Sequence, residues 1–382
     1  MTALTLPARD GSLERWSPSG PRPPLPSAKP PASRIAYAAA HVVADPLAET
    51  GDSAAVDWEA TLAFRHHLWS CGLGVAEAMD TAQRGMGLDW TATRELIRRT
   101  GAEARASGGR WVAGVGTDQL TGPSTVDDVV AAWLAQLELV TAAGAVPVLM
   151  ASRALAAVAT GPADYRGAYG KLLAAADGPV LLHWLGEQFD PALAGYWGHH
   201  DVRAAARELA ELCAEHSAVV GGVKVSVLDA RVETWFRRAL PDGVACYTGD
   251  DFHYPELIAG DERGHSEALL GIFDPIASVA GAALGRLDAG DTAGFRALLD
   301  PTVPLAEEIF RAPTRFYKVG VVLLAYLTGH QRHFRMVAGL ESARSITHLA
   351  QVLRLADAAG VLADPELAVA RMRPLLAAAG VP

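Results

Sequence analysis

Eight times between Ile35 and Leu287 a short apolar run is followed by a longer amphipathic stretch. The runs are Ile35–Val42, Gly74–Met79, Trp111–Gly116, Val146–Met150, Val180–Leu185, Val219–Val227, Val244–Tyr247 and Glu267–Phe273. The stretches that follow them are Val56–Ser70, Asp89–Arg105, Ser124–Ala142, Pro162–Ala176, Val202–Glu215, Ala230–Leu240, Pro255–Ala259 and Ile276–Leu287. Strands that are apolar on both faces and joined through helices belong to a parallel sheet. Roughly eight such units over about 250 residues predict a closed (β/α)8 barrel, an α/β TIM barrel. The competing arrangement is a doubly wound open sheet, which begins with a Gly-rich phosphate turn after its first strand. Ala38-Ala39-Ala40-His41 is nothing like such a turn.

Beyond Gly290 the strand signals stop, and Thr292–Leu299, Pro304–Phe310, Phe316–Leu327, Ser342–Ala359 and Pro365–Ala379 read as helices. Three segments follow: an irregular Pro-rich arm over 1–33, a barrel over 34–290 and a C-terminal helical extension over 291–382. The arm contains Ser19-Gly20-Pro21-Arg22-Pro23-Pro24-Leu25-Pro26, which cannot continue a helix.

Half the residues are hydrophobic, enough for a substantial core. A net charge of −10 argues against a general nucleic-acid binder, which would show a basic face. Cys71, Cys213 and Cys246 are isolated, as in a reducing interior, with no spacing for disulfides or a thiolate metal site. No run approaches the ~18 apolar residues that span a bilayer, and the N-terminus lacks a signal pattern. The expectation is a cytoplasmic protein acting on a small molecule, with neither nucleic acid nor membrane as partner.

One residue breaks the apolar pattern. Lys224 lies inside Ala218-Val219-Val220-Gly221-Gly222-Val223-Lys224-Val225-Ser226-Val227, where an ammonium group is costly unless paired or neutral. The chain has four lysines (Lys29, Lys171, Lys224, Lys318) beside 29 arginines, so a lysine here suggests a task arginine cannot do. That task is losing its proton on desolvation and attacking a carbonyl. A lysine whose stem packs while its head snorkels past the strand end is the alternative.

If the barrel closes, the active site lies at the carboxyl ends of its strands. Those ends carry His41, Asp80 and Thr81, Gly116 to Asp118, Ser152 and Arg153, His183, Lys224 and Ser226, and Thr248-Gly249-Asp250-Asp251. Ser, Thr and Asp there also suit helix N-caps, and for Asp118 and Asp251 capping is at least an equal reading.

In order along the chain, several segments resemble the dihydrodipicolinate synthase and N-acetylneuraminate lyase superfamily. Gly221-Gly222-Val223-Lys224-Val225-Ser226 is similar to its Schiff-base lysine strand. Trp111-Val112-Ala113-Gly114-Val115-Gly116 resembles the third strand. Met79-Asp80-Thr81-Ala82-Gln83 takes the place of the Gly-Thr-Thr-Gly substrate loop, and Thr248-Gly249-Asp250-Asp251 resembles the Ser-Gly-Asp-Asp after the seventh strand. Phe316-Tyr317-Lys318-Val319 is similar to a segment of the C-terminal helices, which makes Lys318 structural. The similarity spans roughly 34–330 and points to a divergent branch.

Its departures are systematic. His183 replaces the proton-relaying tyrosine, Gln188 stands where an arginine grips the substrate carboxylate, and Ala82 replaces the loop's second threonine. The fourth-strand tyrosine is lost, with Ser152 and Arg153 in that region. The resemblance implies a Schiff-base lyase of aldolase or dehydratase type, a homo-oligomer, acting on a keto acid without cofactor or metal. The lost carboxylate grip and the His, Asp and Trp side chains near the rim (Trp184, Trp197) point to a sugar-derived keto compound as the other substrate class. Lys224, His183 and Thr81 would be catalytic. Asp80, Ala82 (through its amide), Arg153, Ser226, Gly249 and Asp250 would contact substrate. Two other classes compete. One is a metal-dependent isomerase or hydrolase built on His41, Asp80, His183 and Asp250, with Glu187 and His199-His200-Asp201 as further donors. The other is a ligand-binding homologue that has lost catalysis.

Overall fold

The computed structural model describes residues 3–20, 25, 29–49, 54–122 and 124–382. Two short strands, β1 (Leu4–Pro7) and β2 (Leu13–Trp16), pair antiparallel near the N-terminus. Eight further strands follow: β3 (Ala36–Ala39), β4 (Gly74–Glu77), β5 (Trp111–Val115), β6 (Val146–Leu149), β7 (Val180–Leu185), β8 (Val220–Ser226), β9 (Ala245–Thr248) and β10 (Glu267–Leu270). They pair in parallel with their sequence neighbours, and β10 returns to β3 to close the barrel. Each lies within an apolar run read from the sequence, except that β9 extends one residue past its run to Thr248. The predicted α/β TIM barrel is the fold of this chain.

Closure follows from the strand composition. Side chains alternate between the barrel interior and the surrounding helices. The interior set includes Tyr37, Ala39, Ala76, Val112, Val148, Leu181, Tyr247 and Leu269. The outward set packs against helices such as Trp58–Ser70, Val126–Ala143 and Val202–Glu215. Two tyrosine rings, Tyr37 and Tyr247, lie 6.3 Å apart and fill the lower barrel. Gly222 makes room for one of them, because a Cβ there would sit 2.6 Å from the Tyr247 ring.

Helices Thr292–Leu299, Val303–Ile309, Lys318–Leu327, Ile346–Ala358 and Pro365–Ala378 form the C-terminal region. A short 3-10 turn, Thr314–Phe316, precedes the third of these and brings Tyr317 over the barrel mouth. No helix among the described residues is long and apolar enough to cross a membrane.

Part of the N-terminal arm, read as irregular from its sequence, is regular. Leu4 and Leu6 of β1 are buried, and Arg354 of helix Ile346–Ala358 donates to the Pro7 and Leu6 carbonyls. A lone hairpin is marginal in water, so that helix, which a local reading cannot supply, holds it in place. Of the Pro-rich stretch, positions 21–24 and 26–28 lie outside the described residues.

Candidate active site

Lys224 projects inward from β8, and its register partner on β7 is His183. The lysine is 7 % exposed and lines a closed chamber at the carboxyl ends of the strands. The chamber walls include Met79, Asp80, Thr81, Leu185, Ser226, Asp251 and Gly271, with Phe189, Phe310 and Tyr317 as a roof. Its free volume of about 10 Å3 has room for roughly one water.

The lysine amine has no hydrogen bond and no ion pair among the described residues. Burial pushes its pKa below that of a free lysine, while the charges of Asp80 and Asp251 pull the other way. Asp251 is buried too, and burial raises its carboxyl against the opposing hydrogen bond from the Ile272 amide. Desolvation therefore moves both groups toward their uncharged forms, a free amine beside a carboxylic acid. Gly249 keeps this arrangement open. A Cβ there would lie 2.2 Å from Ser226 Oγ and 2.8 Å from Lys224 Cε.

Thr81 sits in a 3-10 turn, Asp80–Ala82, between two residues in the left-handed region, Ala78 (φ 51°) and Gln83 (φ 62°). Such strain costs of order 1 kcal/mol per residue and persists where the surrounding fold imposes it. It turns Asp80 and Thr81 into the mouth. Thr81 Oγ1 and the Tyr317 hydroxyl are 2.7 Å apart, and Tyr317 stacks on Phe310 at 4.4 Å between ring centroids. Burial holds the Tyr317 phenol well above its usual range, so it is protonated at neutral pH.

Several residues read from the sequence stand elsewhere. His183 is sealed below the chamber, where its Nε2 meets Ser226 Oγ at 3.2 Å and its Nδ1 has no hydrogen-bond partner. Burial, with the Lys224 charge beside it, keeps the imidazole well below its ordinary pKa, so it stays neutral rather than acting as an imidazolium acid. The Ala82 amide is used by the Met79 carbonyl and is not free for an oxyanion. Asp250 turns into its own loop, where it accepts from the Phe252 and His253 amides and pairs with His253. The carboxyl in the chamber is that of its neighbour, Asp251. Gln188 faces a separate cleft with Glu187, His199 and His200, while Trp184 packs on Phe236 and Trp197 on Tyr169.

The metal set also disperses. His41 pairs with Asp274 at 2.8 Å and reaches Gln331 with its other nitrogen. Among the described residues no three His, Cys, Asp or Glu side chains gather as metal ligands.

A second chamber of about 340 Å3 shares Asp80 and Leu185 with the first. Arg84, Thr117, Asp118, Met150, Ser152, Arg153, Asp190 and Leu193 line it. Arg153 is mostly exposed and is engaged by Asp190. Ser152 caps helix Arg153–Val158 and bonds the Thr117 hydroxyl at 2.7 Å.

A family model described as a protein of unknown function, DUF993, matches residues 4–381. The chain belongs to that family. No curated protein matches it. Among solved structures, a monomeric dihydrodipicolinate synthase variant aligns with a TM-score of 0.67 at 12 % identity, over 86 % of this chain and 97 % of its own. Dihydrodipicolinate synthase from Bacteroides thetaiotaomicron aligns at 0.64 and 15 %, over 85 % and 99 %. The Aquifex aeolicus enzyme aligns at 0.61 and 13 %, over 91 % and 99 %. At such identities the likeness establishes a shared fold, and the DUF993 site has to be read from its own residues.

Tyr317 is the residue that sequence reading overlooked. It lies in a helical segment far from the barrel strands, and the quoted motif drew attention only to its neighbour Lys318. A tyrosine among apolar helix residues looks like core until the chain is folded.

Proposed function

We propose that this protein is a Schiff-base-forming lyase in which Lys224 attacks the carbonyl of a small substrate. One observation carries the reading: a desolvated lysine amine with no hydrogen-bond or ion-pair partner among the described residues, in the mouth of a TIM barrel beside a hydroxyl pair. Burial supports a neutral, nucleophilic amine.

The Lys224 nitrogen lone pair adds to the carbonyl carbon, and the C=O π pair moves onto oxygen. That oxygen takes a proton from the Tyr317–Thr81 hydroxyl pair, and the nitrogen returns one to it, giving a neutral carbinolamine. The C–O bond then breaks with a second proton, water leaves, and the nitrogen lone pair forms C=N. The sum is one amine, one carbonyl and one proton converted to a protonated imine and one water. The iminium then accepts the electron pair of a bond at the neighbouring carbon. In cleavage the C–C pair flows to it while the β-hydroxyl gives its proton to Asp80 or Asp251 on the chamber wall and leaves as a carbonyl. In dehydration one of those carboxylates takes the C–H proton and returns it to the β-hydroxyl, which the enamine pair expels as water. A positioned donor of this kind is worth about 10²–10⁴ in rate. Phe189, Phe310 and Tyr317 must part to admit substrate and can then exclude bulk water.

Borohydride reduction in the presence of carbonyl compounds, followed by peptide mass mapping, tests this reading. The expected result is a substrate-dependent adduct on the peptide bearing Lys224. An adduct on no lysine, or activity abolished by chelation alone, would overturn it.

A further inference from the structure

The charges around the two chambers bear on what the substrate is. Among the described residues that line the inner chamber Lys224 is the only cationic side chain, and it faces Asp80 and Asp251. Once Lys224 becomes an iminium, its fixed charge draws Asp251 back toward the carboxylate, and Asp80 and Asp251 supply the counter-charge. The carboxylate of a 2-keto acid sits one bond from the carbon that Lys224 attacks. It would enter beside two carboxyl groups with no cation left to receive it.

Neighbouring cations do not change this. Arg84 has five N–H donors, and five acceptors take them. Its Nε and one Nη2 hydrogen go to Asp118, the other Nη2 hydrogen to Gln136 Oε1, and Nη1 to the Ala78 and Gly114 carbonyls. Arg153 lines the outer chamber and not the inner one, and it gives its Nε to Asp190, whose charge offsets its own. Lys318 lines neither chamber; its amine donates to the Arg315 carbonyl at 3.1 Å and lies over the Tyr317 ring.

The outer chamber offers what hydroxyl groups need. Asp80 and Asp118 present acceptor oxygens, the Thr117–Ser152 pair can donate or accept, and Leu120, Met150, Leu185 and Leu193 provide apolar surface for C–H faces. Its volume is that of a small-molecule site. Asp80 and Leu185 belong to both chambers, so a chain leaving the imine carbon passes between them.

We propose that the substrate is an uncharged polyhydroxylated ketone: its carbonyl reaches Lys224 with no carboxylate beside it, and its hydroxylated tail occupies the outer chamber. This inference rests on the imine reading above and selects, within it, the sugar-derived class over keto acids and phosphorylated sugars.

The test is borohydride trapping on the full-length protein with five probes: acetone, dihydroxyacetone, erythrulose, pyruvate and dihydroxyacetone phosphate. Erythrulose should label Lys224 at least tenfold faster than pyruvate or the phosphate ester. Thr117→Val should lower the erythrulose-to-acetone rate ratio about tenfold, because acetone has no tail to place. Pyruvate or the phosphate ester labelling as fast as erythrulose would overturn the substrate class and leave the imine reading intact. An unchanged ratio in Thr117→Val would overturn the placement of the tail. Failure of all five probes to label Lys224 would overturn the imine reading and this inference with it.

Discussion

Two of the four lysines are buried within reach of the same carboxylate, and they differ in one respect. Lys224, on β8, and Lys318, at the start of helix Lys318–Leu327, are 7 % and 3 % exposed, and both feel Asp80. Burial lowers the pKa of each, in Lys318 to about 8. Lys318, however, donates to a backbone carbonyl, touches Met86 Sδ at 3.5 Å and covers an aromatic face. Those contacts favour the ammonium form, and the amine lines neither chamber. Among the described residues Lys224 has no such contacts, and it opens into a chamber. A depressed pKa therefore does not identify a nucleophile by itself; an unengaged amine facing free space does.

Removing each amine in turn should separate the two most sharply. Lys224→Met should abolish the reducible adduct, whereas Lys318→Met should keep it on the Lys224 peptide. Labelling of Lys224 by 2,4-pentanedione should rise with pH and level off below the 10.5 of a free lysine, as the amine loses its proton early. A profile that levels off only near 10.5 would favour the non-catalytic homologue.

The neighbour that distinguishes the sites is Tyr317, which lines the Lys224 chamber and lies beneath the Lys318 amine. Tyr317→Phe should slow imine formation by about 10²–10⁴ while leaving the pentanedione pH profile of Lys224 little changed. A combined shift of rate and profile would indicate instead that the ring only shapes the pocket.

Stability should respond at Lys318. Its folded-state pKa is depressed to about 8, so between there and 10.5 the unfolded chain binds more protons and stability rises with pH. The burial penalty is fully present below pH 8 and fades by 10.5. Relative to Lys318→Met, the parent protein should therefore gain up to about 3 kcal/mol between pH 7 and 10.5 in urea unfolding.

Gly249→Ala should disturb the Lys224 side of the pair, since its new methyl would press on Ser226 Oγ, Lys224 Cε and the Val225 carbonyl. Overpacking of this kind costs about 1–3 kcal/mol, visible as a lower unfolding midpoint, and should slow trapping at Lys224.

Much of the barrel could be read in advance because its signal is local and repeated. Each strand from β3 to β10 falls inside an apolar run to within one residue, and helix Val126–Ala143 is bracketed by a Thr125–Asp128 capping box and a left-handed Gly144. Lys224 was legible because one charge interrupts an apolar strand in a lysine-poor chain. The roles around it were not. Asp250 and Asp251 are adjacent and chemically identical, yet one closes its own loop while the other meets the lysine. His183 occupies the expected strand position, but its ring lies below the chamber, and a hydroxyl from the C-terminal region fills the space above.

The sequence by itself determined the parallel barrel and the amine within it, because periodicity and the cost of burying charge act over a few residues. Tertiary structure alone decided which hydroxyl, carboxyl and aromatic groups surround that amine. Closing the barrel and folding the C-terminal helices across its mouth brings Thr81, Asp251, Phe310 and Tyr317 together from distant parts of the chain, and no local pattern encodes a contact made only when the last helices dock.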